Sequence, residues 1–378
     1  MREIHEIDRL EEFIAREHNL SDCVVQGLNL GEVEVDWTSV RLAGSVFLGC
    51  RFPSLAFQER IREGGALIFP RLPRLPYNPY RPRLYSRDEL MEGWTPDHDR
   101  SADLQIFEHF ESKGRHRPHV MEALCQRLHD HAIDDALMDL LDGRVEPGGV
   151  KKVIAIMGGH GTPRTDSYYR KVAAIARDLT RAGYFVASGG GPGIMEAANL
   201  GAWISNAGDD FLDRAIAELS SAPLYSDPGF NDVAARVREW HPDGASSLAI
   251  PTWFYGHEPS NQFSAHIAKY FSNGIREDGL LAIARYGVIY APGSAGTTQE
   301  IFMDAAQNHY GTFECVSPMV FLGEDRYGPQ TGLYDTVKRL AKGQQYESMV
   351  ALTDDAAEVV RLIGRFEPKP YGERKGHT

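Results

Sequence analysis

Three glycine-rich segments, each placed just after a short apolar run and just before a helix-like stretch, constrain this chain most. The first is Gly158, Gly159, His160, Gly161 and Thr162, behind the run VKKVIAIM. The second is Gly189, Gly190, Gly191, Pro192 and Gly193, behind FVAS. The third is Pro292, Gly293, Ser294, Ala295, Gly296, Thr297 and Thr298, behind YGVIYA. Apolar runs of strand length alternating with amphipathic segments such as SYYRKVAAIARDLTRAGY predict parallel strands covered by helices on both faces. The expected fold class is therefore α/β: a Rossmann-like, doubly wound parallel sheet over 150–363, preceded by an N-terminal accessory region. Ligands of such sheets sit beyond the carboxyl ends of the strands, where all three loops fall.

Glycine lets backbone N–H groups approach an anion closely, and a helix N-terminus adds partial positive charge. Three such loops on one sheet edge predict a phosphate-bearing guest. None of them is a dinucleotide fingerprint: Arg164 and Ile194 stand where the third glycine would be. A phosphate-binding G-x-x-x-x-G-K-[ST] loop is also missing, so a mononucleotide or sugar phosphate fits better than NAD or ATP.

The rest of the chain divides differently. Residues 4–18 carry apolar positions at helical spacing. From Leu28 small or apolar residues recur every five positions, as Leu28, Val33, Thr38, Ala43, Leu48 and as Leu30, Val35, Val40, Ser45, Cys50. Over 22–52 this is compatible with a short pentapeptide-like β-coil or with two or three ordinary strands. Prolines at every third position from Pro70 to Pro82 suit a polyproline II arm over 70–83. It reads as a stiff linker or as a docking arm decorated by Arg71, Arg74, Arg81 and Arg83. Two helices are expected over 101–142, with Val120, Leu124, Leu128, Ala132, Leu137 and Leu140 on the apolar face of the second. His129, Asp130, His131, Asp134 and Asp135 do not fall on one helical face, so no metal site is expected there. A basic, flexible tail is expected from 364 to 378.

The formal charge is -13, which disfavours nucleic acid and anionic lipid as partners. Four dispersed cysteines and no long apolar run suit reduced thiols in a cytoplasmic protein with no membrane span.

The segment SGGGPGIMEAANLGA (188–202) with PGSAGTTQE (292–300) resembles the Lonely Guy family, once labelled "possible lysine decarboxylase". GHEPSNQF (256–263), VFLGEDRYGP (320–329) and LTDDAAEVV (352–360) add to the resemblance, which spans about 150–363. It implies a phosphoribohydrolase that acts on nucleoside 5′-monophosphates without a cofactor and forms a homodimer or larger assembly. It also implies Glu300 and Arg276 as catalytic residues. The nucleotide would be held by Gly158, Gly159, His160, Gly190, Gly191, Gly193, Met195, Asn199, Gly293, Ser294, Gly296, Thr297 and Thr298. Two departures stand out: Ser294 replaces the family's second loop glycine, and Glu277 replaces the lysine of its Arg-Lys pair. Both leave room for an alternative, a non-catalytic carrier of a nucleotide or of molybdenum cofactor. Pyridoxal chemistry needs a Schiff-base lysine, and no lysine stands in the three loops.

The chemistry agrees with these positions. Breaking an N-glycosidic bond builds positive charge on the ribose ring, which a carboxylate stabilises. A 5′-phosphate on the helix end at Gly296, Thr297 and Thr298 would place the ribose beside Glu300.

Overall fold

The computed structural model describes residues 2–72, 74–96, 98–146, 148–257 and 260–370. Pro73 of the arm, Glu258 of the GHEPSNQF segment and 371–378 of the basic tail lie outside the described residues.

The chain forms two compact units: 1–84 with 112–138, and 85–111 with 139–378. The division therefore does not follow the linear boundary at 149. Residues 85–111 join the second unit because Tyr85 bridges Ile267 through two backbone hydrogen bonds.

In the first unit, β1 (Arg2–Ile4), β2 (Cys23–Gln26), β3 (Val46–Leu48) and β4 (Leu67–Phe69) pair in parallel in that order. Facing residues are 21 or 22 positions apart, so each rung is one turn of a coil. The coil spans 2–69, longer than the expected 22–52. Its first and third turns carry helices, α1 (Ile7–Glu17) and α2 (Leu55–Glu63). One five-residue series points inward through Val25, Leu30, Val40, Ser45 and Cys50. The other slips by one position, running Cys23, Leu28, Val33, then Trp37, Leu42 and Phe47. Thr38 and Ala43, expected inside, are exposed. The bulky Trp37, edge-on to Phe57 at 5.4 Å, accounts for the slip.

The proline-rich arm folds onto this unit. The Tyr77 hydroxyl donates to Glu122 (2.8 Å), and Gln26 donates to the Tyr80 carbonyl (2.9 Å). Helices α3 (Ala102–Ser112) and α4 (Val120–Leu141) match the two expected over 101–142. The buried face of α4 follows the expected stripe at Ala132, Leu137 and Leu140 and departs from it in the N-terminal half. Val120 and Leu124 are exposed, while Glu122, Gln126 and His129 are buried. Hydrogen bonds explain the exchange: Glu122 accepts from Tyr77 and Gln126, and His129 lies against the Tyr77 ring.

The second unit is a seven-stranded, fully parallel sheet. Its elements are β5 (Val153–Met157), α5 (Ser167–Arg181), β6 (Phe185–Ser188), α6 (Ile194–Trp203), α7 (Phe211–Leu219), α8 (Phe230–Glu239), β7 (Leu248–Ala249), β8 (His266–Ile267), α9 (Asn273–Ile283), β9 (Val288–Tyr290), α10 (Ala295–Tyr310), β10 (Met319–Leu322), α11 (Leu333–Ala341), β11 (Val350–Thr353) and α12 (Ala356–Gly364). The strand order is β8-β7-β6-β5-β9-β10-β11. The Rossmann-like doubly wound sheet is thus present. The central strand β5 is buried at all five positions, as an apolar run covered on both faces must be. Helix α5 starts on Asp166, whose side chain accepts the Tyr168 N–H, and buries Val172, Ala173, Ile175, Ala176 and Leu179. Lys369–Pro370, inside the expected tail, pairs antiparallel with Cys315–Val316. Among the described residues no helix is long and apolar enough to cross a membrane.

Candidate functional site

The strand order reverses between β5 and β9, and in such sheets the crevice at this switch point takes ligands. A cavity of about 430 Å³ opens there. The glycine loops behind β5, β6 and β9 form one wall and are tied directly together. The Gly159 N–H donates to the Pro292 carbonyl (3.0 Å), and the Gly159 carbonyl accepts from the Ile194 N–H (3.1 Å). Gly193 adopts φ +67 so that the chain can turn from loop into α6; a side chain there would strike the Gly159 and His160 carbonyls.

The third loop is braced from beneath. The Tyr327 hydroxyl donates to the Ala291 carbonyl and Arg326 to the Gly293 carbonyl, each at 2.6 Å. This gives the VFLGEDRYGP segment a loop-orienting role. Ser294 precedes α10 with φ -112, so its position does not need the positive φ that favours glycine. The first N–H groups of α10 have no acceptor within the helix, and beside them Ser294, Ala295, Gly296 and Thr297 line the cavity. This end of the cavity is rich in donors.

Glu300 and Arg276 meet deeper in. Arg276 Nη1 lies 3.3 Å from Glu300 Oε1, and its Nε donates to the Ile250 carbonyl at 2.8 Å. Both side chains are 10% exposed. Burial pushes the Glu300 carboxyl above its usual range; the Arg276 guanidinium opposes this and neighbouring Glu277 adds to it. Glu277, next to Arg276 on α9, is buried and accepts from Gln299 at 2.6 Å. Tyr255 stands at the mouth with its ring largely exposed, and its hydroxyl accepts from Asn273 (2.9 Å).

Of the residues expected from sequence, Glu300, Arg276, Gly158, Gly159, His160, Gly191, Met195, Ser294, Gly296 and Thr297 line the cavity. Gly190, Gly193, Gly293, Thr298 and Asn199 are not on its lining. The Thr298 hydroxyl donates to the Ser294 carbonyl. Asn199 is a hub under the second loop: its Oδ1 accepts from Ser188 (2.7 Å) and Asn261 (2.8 Å), and its Nδ2 donates to Ser247 (3.0 Å) and Leu248 (3.2 Å). All four of its hydrogen bonds are made inside the protein. His257 faces away too, with its ring 5.6 Å from Phe107 and its Nε2 4.0 Å from Asp103.

Sequence reasoning missed Thr252, Tyr255, Glu277 and Gln299 on the lining. The first two follow the strand within SSLAIPTW, so the strand-end rule could have found them. The other two adjoin Arg276 and Glu300. Among the described residues no group of His, Cys, Asp and Glu is arranged to hold a metal ion.

One turn beyond Glu300, Asp304 is buried and accepts from Tyr290 (2.7 Å) and Asn308 (3.2 Å). Burial raises its carboxyl to about 7. The unfolded chain ionises this group near pH ~4. Between those values the native state holds a proton that the unfolded state has lost. Stability from this group is therefore full below pH ~4 and is lost as pH rises toward 7. The Asp304→Asn variant should gain on the wild type by about 2–3 kcal/mol between pH 5 and pH 8, read by urea unfolding at both values. Parallel pH dependences of the two proteins would contradict the assignment.

No protein-family model and no curated protein matches the chain. Solved structures do. The molybdenum cofactor binding protein from the phototrophic bacterium Rippkaea orientalis is 14% identical, with TM-score 0.36 over 57% of this chain and 96% of its own. The molybdenum cofactor carrier protein from Chlamydomonas reinhardtii is 14% identical, with TM-score 0.35 over 57% of this chain and 97% of its own. At such identity the likeness is one of fold, and of fold alone.

Proposed function

We propose that this protein is a nucleoside 5′-monophosphate N-glycosidase of the Lonely Guy type, converting nucleotide and water into free base and ribose 5-phosphate. The observation that carries the reading is the buried Arg276–Glu300 pair, at 3.3 Å, in the same cavity as the donor-rich start of α10. The phosphate binds at the N–H groups of α10 beside Ser294 and Thr297. The ribose then lies over Glu300. As the C1′–N bond lengthens, positive charge grows on C1′ and O4′, and the ionised Glu300 carboxylate stabilises it. Water adds to C1′, and the base leaves with a proton. Arg276 keeps Glu300 ionised in its buried position and fixes its rotamer.

A second reading, binding without turnover, is favoured by Glu277, which puts a carboxylate where the resemblance calls for a lysine. A nucleotide or a molybdenum-cofactor-like pterin phosphate would then be held and not cleaved. The two readings are separated by incubating the protein with nucleoside 5′-monophosphates and assaying ribose 5-phosphate. Release supports the glycosidase; saturable binding with no release supports the carrier.

A further inference from the structure

The cavity is chemically polarised. Its donors collect around the start of α10, and its acceptors collect between α9 and α10. Two bridges join those helices side by side: Arg276 to Glu300, and Gln299 to Glu277. The second lies toward the mouth, where Gln299 is exposed and Tyr255 offers a ring.

The orientation of the Gln299 amide is fixed. Its nitrogen donates to Glu277 at 2.6 Å and also approaches the Met303 sulfur at 3.7 Å. A flipped amide would set oxygen against carboxylate oxygen. Both amide hydrogens are thereby directed into the protein, and the amide oxygen is the polar atom left for a ligand. Glu277 accepts from Gln299 and from the Tyr255 hydroxyl, and a carboxylate keeps lone pairs for a further donor. The Glu277–Gln299 pair is thus an edge of acceptors, beside an aromatic ring on which a planar base can stack.

We propose that Glu277 and Gln299 select nucleotides whose leaving base carries an exocyclic amino group, with Glu277 as the specificity-determining residue. This rests on the nucleotide reading above. An amine donates to the carboxylate, whereas a carbonyl at the same position meets it oxygen to oxygen and is repelled. The matched pairs are adenosine against inosine 5′-monophosphate and cytidine against uridine 5′-monophosphate.

The test is calorimetric binding to the Glu300→Gln protein, which removes turnover from the measurement. The amino member of each pair should bind about tenfold or more tightly than its carbonyl partner. Adding Glu277→Gln should flatten or invert that preference, since the new amide can donate to a carbonyl, while ribose 5-phosphate affinity stays unchanged. Equal affinities within each pair, or a uniform loss that includes ribose 5-phosphate, would overturn the proposal and assign Glu277 to the sugar. Failure of any nucleotide or ribose 5-phosphate to bind folded wild-type protein would instead overturn the nucleotide reading, and the proposal with it.

Discussion

On the glycosidase reading proposed above, Glu300→Gln should lower kcat for ribose 5-phosphate release by about a thousandfold or more, with KM unchanged or reduced and the fold intact. Removing one buried electrostatic partner of a developing charge costs about 10²–10³ in rate. On that reading the lost group is a full carboxylate facing an oxocarbenium-like centre, which puts the effect at the upper end. The amide is isosteric, so the 3.3 Å contact with Arg276 and the α10 backbone persist. Arg276, freed of its counter-charge, attracts an anionic ligand at least as well as before, which is why KM does not rise. The wild-type rate should climb with pH through a midpoint above the ordinary glutamate range, because burial raises the carboxyl and only its ionised form is active. Circular dichroism and melting temperature check the fold. A variant keeping a tenth of the wild-type kcat would sink the assignment.

The largest effect on stability is expected at Arg164 and Glu196, both 1% exposed. Arg164 Nη2 and Nε grip the two Glu196 oxygens at 2.6 and 2.8 Å, and the Tyr169 hydroxyl adds a third bond at 2.9 Å. Arg164 Nη1 donates to the Ala222 and Phe230 carbonyls, and the guanidinium lies 3.5 Å from the Phe230 ring centre. Glu196→Gln leaves a buried cation without its counter-charge. Breaking such a pair from one side costs about 3–5 kcal/mol. Denaturant unfolding should show that loss, and the double variant Arg164→Met/Glu196→Leu should recover part of it. If Glu196→Gln unfolds within 1 kcal/mol of the wild type (roughly the worth of a surface pair), the network is not structurally critical.

That same pair marks what the sequence could and could not reveal. Arg164 breaks the dinucleotide fingerprint, and its reason is spatial: it ties the first loop to the first turn of α6 through Glu196. Composition hints at no such pairing, because the two are 32 positions apart. The glycine loops were legible because strand ends and helix starts are local signals. The sheet followed from alternation alone. Asn199 was misplaced for the opposite reason: an asparagine beside a phosphate loop reads like a ligand contact, and only the Ser188, Ser247 and Asn261 partners reveal an internal brace. In α4 the apolar stripe holds at Ala132, Leu137 and Leu140 but fails at Val120 and Leu124, where Tyr77, 45 residues away, satisfies a buried Glu122 instead. The five-residue spacing left a coil and ordinary strands both open, and one inward series shifts by a position at Trp37.

The pairing of β5 with β9 places Ala155 beside Val288, although more than a hundred residues of chain lie between them. Of the groups proposed here, Tyr255, Arg276 and Glu277 lie late in that interval, and Gln299 and Glu300 follow it. During synthesis, the glycine loops behind β5 and β6 emerge long before Arg276 and Glu300 leave the ribosome. The early half therefore lacks both the start of α10 and the Arg276–Glu300 pair, and exposes one edge of its central strand until β9 arrives. Contacts so distant in sequence form slowly. The growing chain is thus most vulnerable to misassociation in that interval, and a bound phosphate would favour the last step, closure of the two halves onto one another.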